Sequence, residues 1–150
     1  MRGYLLDTSV ISALAPGKPP VEHAVADWFR AASEALHLPS IAVAEIEQGI
    51  CKLRRAGGTA RADALSRWLD ELVRRHGDRI LPFDTPAARL AGAMSDAAHA
   101  AGQHPGFADV AIAAIAADRG LTVLTRNQRH FAGLGVDQRD PWDPEPPVPH

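Results

Sequence analysis

The chain has 150 residues, 46% hydrophobic and 23% charged, with a formal net charge of −2. That length fits one compact core burying roughly 68–70% of the unfolded surface. The near-neutral charge excludes a molecule that draws nucleic acid by its overall field, and the single Cys51 excludes an intrachain disulfide. No apolar run reaches the about 18 residues of a membrane span, and no export signal opens the chain, so a soluble cytoplasmic protein is expected.

The first apolar run, Tyr4 to Leu6, ends on Asp7-Thr8-Ser9 with no turn-forming glycine. Similar β-favouring runs stand at Leu36 to Leu38, Ile80 to Phe83 and Thr122 to Leu124, each followed by helix-like sequence. That alternation predicts a parallel sheet of four to five strands covered by helices on both faces, a three-layer α/β/α sandwich. Ser40 is placed to cap a helix in which Val43, Ile46, Ile50 and Leu53 recur at spacings of three, four and three until Gly57-Gly58. Cys51 is expected there as an inert packed thiol. A second helix from about Ala60 to Arg75 would complete a helical hairpin.

Between Lys52 and Arg79 that hairpin carries eight Lys and Arg against four Asp and Glu. Its excess, which includes Arg54 and Arg55, suits either a solvated face or a rim that contacts RNA or a protein partner. Asp84-Thr85-Pro86 reads as a cap and first-turn proline opening a helix to about Ala101-Gly102. "FADVAIAAIAADRG", from Phe107, is apolar on nearly every side apart from Asp109 and its end, as expected of a helix pressed on a sheet. Five prolines fall in the last ten residues. Residues 1–140 therefore read as the domain and 141–150 as a proline-rich tail, pinned, if anywhere, by Trp142.

Three acids fall at one functional edge of such a sheet: Asp7 at a strand end, Glu45 early in its helix and Asp109 in the first turn of the buried helix. Singly, each has an ordinary explanation as a cap, a favourable helix-dipole contact or a solvent-facing residue. Together they repel, by about 4 kcal/mol per pair at about 4 Å and an effective dielectric near 20, and call for a proton or a cation. Oxygen donors without cysteine favour Mg²⁺ or Mn²⁺ over zinc, and the chemistry this suggests is phosphodiester hydrolysis.

The runs "LLDTSVI", "AEIEQGI" at 44–50, "FADVAIAAIAADRGLTVLTRN" at 107–127 and "DPW" at 140–142 resemble, in order and spacing, the PIN-domain ribonucleases of the VapC/FitB toxin type. The resemblance implies an acidic Mg²⁺-dependent site that cleaves RNA, a homodimer, and a VapB-like antitoxin that blocks the site. It assigns Asp7, Glu45 and Asp109 as catalytic and metal-binding acids, with Thr8 and Ser9 as hydroxyls beside the first. Ser9 is equally suited to hold a metal-bound water or to cap the helix that follows. In "TRNQRHF", His130 stands where the family places a fourth acid, leaving Asn127 as the nearest oxygen donor.

Two other readings compete. A haloacid dehalogenase-type phosphatase needs a second acid two residues after the first, where this chain has Ser9. A PIN fold of weak or no activity, acting mainly as partner of a DNA-binding antitoxin in a repressor, is favoured by the missing fourth acid.

Overall fold

The computed structural model describes residues 3–143 of the chain. Its sheet consists of β1 (Tyr4–Leu6), β2 (Leu36–Pro39), β3 (Ile80–Leu81), β4 (Thr122–Leu124) and β5 (Gln138–Arg139). The strand order is β3-β2-β1-β4-β5 and every pairing is parallel. Successive strands leave β1 toward β3, then the chain crosses back to place β4 on the other side of β1. The crevice between the carboxyl ends of β1 and β4 is thus the topological switch point, where sheets of this kind hold their ligands.

Among the described residues seven α-helices cover the sheet: α1 (Thr8–Ala13), α2 (His23–Ala31), α3 (Ser40–Arg55), α4 (Thr59–His76), α5 (Thr85–Ala100), α6 (Phe107–Arg119) and the short α7 (Gln128–Phe131). Side chains alternate across β1. Leu5 joins a core with Val123 and the inner faces of α5 and α6. Tyr4 and Leu6 join another with Val10 and Ile11 of α1, Trp28 of α2 and Leu38. The chain is the expected three-layer α/β/α sandwich, with five strands.

Seven consecutive residues of α6, Val110 to Ala116, are buried, which explains an apolar sequence on every side. Gly120 ends this helix in the left-handed region, φ 66°, where a side chain would be strained. Asp84 caps α5 by accepting from the Ala87 N–H at 3.2 Å. The hairpin of α3 and α4 closes around Ile50, Ala62 and Leu69.

Three expectations change. Ser40 is the first residue of α3 rather than its cap; Pro39 takes that position, and Ser40 Oγ accepts from the Phe83 N–H at 3.3 Å. The strand foreseen over Ile80–Phe83 pairs only at Ile80 and Leu81, because Pro82 has no N–H to donate. Cys51 is exposed rather than packed. Between β1 and β2 lies α2, which buries Val25 and Trp28. Trp142 packs edge-to-face on Phe29 at 5.7 Å, while the tail from residue 144 lies outside the described residues.

Candidate active site

Asp7 follows directly from β1, and its N–H donates to the Leu124 carbonyl across the switch point at 2.8 Å. Its side chain caps α1, with Oδ1 accepting from the Thr8 N–H at 2.9 Å. Oδ2 accepts from Ser9 Oγ at 2.7 Å and from Thr125 Oγ1 at 2.9 Å. Only 4% of Asp7 is exposed. A buried carboxylate needs such partners, and here three donors fix its orientation. The acid at the strand end is therefore cap, sheet-to-helix anchor and candidate reactive group at once.

Ser9 is accordingly not the cap of α1. Its hydroxyl donates to Asp7 and accepts from the Arg126 N–H at 3.2 Å, tying the end of β1 to the segment after β4. Thr125, absent from the sequence-based candidates, is fully buried, and its Oγ1 also accepts from the Asn127 N–H at 2.9 Å. A threonine closing a strand has no periodic signature. Its partner lies 118 residues away in sequence, so only the parallel pairing of β1 and β4 reveals it. Asn127 enters through its backbone, as the residue preceding α7.

Glu45 lies in α3 and is exposed, with Oε1 accepting from Thr8 Oγ1 at 2.7 Å. Asp109 is in the first turn of α6, whose N-terminus reaches the same edge because the helix runs back to the start of β4. Burial pushes the Asp109 carboxyl above the usual carboxylate range, and the charges of Asp7 and Glu45 push it the same way. His130 Nδ1, 3.3 Å from Asp109 Oδ2, opposes them. Asp109 therefore feels the charge of the other two acids at this edge.

The donors here are carboxylate and hydroxyl oxygens with no thiolate, which in kind suits Mg²⁺ or Mn²⁺. Among the described residues, no three Asp, Glu, His or Cys side chains form a coordination shell. Mg²⁺ is usually bound through only one or two carboxylates, water and substrate oxygens completing the shell, and the oxygens of Asp7 and Asp109 are donors of the kind such an ion takes. Arg54 stands apart: it pairs with Asp63 at 2.7 Å, both side chains about half exposed. Arg55 is exposed in the last turn of α3.

The sequence profile of the PIN domain matches residues 4–135. This chain belongs to the PIN-domain family. Across 141 residues it is 36% identical to the VapC ribonuclease Y4jK of Sinorhizobium fredii, covering 93% of this chain and 98% of that protein. It is 33% identical to Toxin FitB of Neisseria gonorrhoeae, covering 92% of this chain and 97% of that one. The crystal structure of DNA-bound VapBC from Salmonella typhimurium superposes with a TM-score of 0.79 at 25% identity, over 94% of this chain and 99% of that one. This PIN domain is thus of the VapC/FitB type over nearly its whole length. Among the described residues no helix is long and apolar enough to cross a membrane.

Proposed function

We propose that this PIN domain is the toxin of a type II toxin–antitoxin pair, acting in the cytoplasm as a Mg²⁺- or Mn²⁺-dependent endoribonuclease. Asp7, Glu45 and Asp109 are its catalytic and metal-holding acids. The observation that carries this reading is at Asp109, whose carboxyl is raised first by burial and then by the charges of Asp7 and Glu45, so that this edge suits a cation. When bound there, a divalent ion supplies Lewis acidity and lowers the pKa of a water at the scissile phosphate.

The protein's own part is positioning. Three donors hold Asp7 in one orientation. Thr8 steadies Glu45, and His130 steadies Asp109. The relatives support a VapB-like antitoxin as partner, and a homodimer is the expected assembly. Asp109→Asn keeps the shape of the side chain and removes its charge, so RNA cleavage in Mg²⁺ should fall by at least about a hundredfold, the scale of one lost preorganised electrostatic contact. Cleavage equal to that of the native protein, measured beside a matching thermal melt, would show a contaminating nuclease and sink the enzyme reading.

A second reading rests on His130, which brings a neutral or cationic imidazole to Asp109 where the family resemblance expects an acid. In that case the fold serves mainly as partner of a DNA-binding antitoxin in a repressor complex. Promoter binding by the complex together with no metal-dependent cleavage by the free protein would select it.

A further inference from the structure

Two cavities open beside Asp109 and Ser9, and both take a wall from the segment that follows β4. One, of about 620 Å³, is lined by Asp109, His130, Arg129 and His104. The other, of about 500 Å³, is lined by Ser9, Lys18, Arg126 and Trp142, with Glu22 as its acid. Both volumes fall in the range of about 300–1,000 Å³ typical of ligand clefts. Asp109 belongs to the first, and Ser9, which donates to Asp7, belongs to the second. Asp109 therefore opens on one cavity, and Asp7 lies one hydrogen bond behind the wall of the other.

The walls have the chemistry of single-stranded nucleic acid recognition, which combines cations for phosphates with planar groups on which bases stack. Arg126 and Arg129 are exposed, and among the described residues neither makes an ion pair within 4.0 Å. The Arg126 guanidinium carbon lies 4.5 Å from the centre of the Trp142 ring, and Trp142 is backed by Phe29. This places a supported planar cation at the cavity wall. By contrast Arg55 is ten residues beyond Glu45 on α3, about 15 Å farther along the helix at about 1.5 Å per residue.

Resting on the ribonuclease reading, we infer that Arg126 and Arg129 form the RNA track. One nucleotide seats against Arg126 and Trp142 and another against Arg129 and His104, with the scissile phosphate held between them over Asp7 and Asp109. The basic rim of the hairpin is secondary for RNA.

The test is fluorescence anisotropy of a labelled short single-stranded RNA with the full chain in EDTA, where cleavage is off. Native protein is compared with the double variants R126A/R129A and R54A/R55A, each checked by thermal melting. R126A/R129A should bind at least about tenfold more weakly, and its log–log salt slope should flatten by about 1.4, two lost phosphate contacts at about 0.7 each. R54A/R55A should stay within about twofold of native. Equal losses for the two variants, or a larger loss for R54A/R55A, would overturn the track.

A parallel cleavage assay in Mg²⁺ separates the two levels of the argument. Native protein that cleaves, with R126A/R129A binding as tightly as native, removes the track and leaves the ribonuclease. Native protein that binds through these arginines without cleaving removes the ribonuclease and leaves the track as a binding site. Native protein that neither binds nor cleaves removes both.

Discussion

At the scale of single residues the site is held together by hydroxyls. Thr125 Oγ1 serves Asp7 and the Asn127 N–H together. Thr125→Val preserves shape and strips both bonds, so it should cost about 1–3 kcal/mol in urea unfolding, the usual penalty for leaving a buried polar group short of a partner. An unchanged midpoint would mean that water replaces the hydroxyl. Asp109 makes a different prediction. Its native value lies above the unfolded one, so between the two the folded chain keeps a proton that the unfolded chain has lost. Stability from Asp109 is therefore complete below the ordinary carboxylate value and declines as pH rises through the raised one. In EDTA, Asp109→Asn should melt above native protein near pH 7, with the gap closing toward about pH 4. A variant that melts lower near neutrality would refute the electrostatic picture of the site. For His130, metal titrations of RNA cleavage decide whether the imidazole matters. His130→Asp should raise activity at low Mg²⁺, and His130→Ala should lower activity in Mn²⁺, the ion better suited to a nitrogen donor. Superimposable curves for all three proteins would place His130 outside the metal shell.

At the scale of elements, legibility in the sequence followed burial. The run Val110 to Ala116 has no polar face, and it is the helix buried in the core. Its alanines meet Ala87, Ala91 and Ala98 of α5, so small side chains set how closely these two helices approach. Ala113→Leu would overfill that contact and should lower stability by about 1–3 kcal/mol in urea melts. A neutral result would reveal unfilled space between the helices. The succession of the first four strands along the chain was equally readable, since each begins as an apolar run. Less readable was β5, two residues reading Gln138-Arg139, which alternation cannot signal. Ser40 shows the other limit. Serine before an apolar run announces a cap by local chemistry, yet its hydroxyl goes to Phe83, a partner 43 residues away. Arg54 and Arg55 looked alike in a basic stretch, and only the fold shows Asp63 beside one of them.

For the whole molecule, two cores share one thin sheet. Leu5 serves one and Tyr4 and Leu6 the other, so neither core survives loss of β1. Unfolding should be a single cooperative step, checked by whether far-UV circular dichroism and tryptophan fluorescence give the same urea midpoint. Separate midpoints would show that the α5–α6 layer melts independently, because Trp28, Trp68 and Trp142 all pack against the opposite core. The two outermost strands, β3 and β5, are each only two residues long. An extended peptide that recognises a protein by adding itself to a sheet draws its affinity from a row of main-chain hydrogen bonds, and a border two residues long offers almost no row. Short borders also give identical molecules little to zip together at high concentration. A protein that captures this domain must therefore grip helices and loops, and the variety of its partners will be written in helix surfaces rather than in backbone pairing.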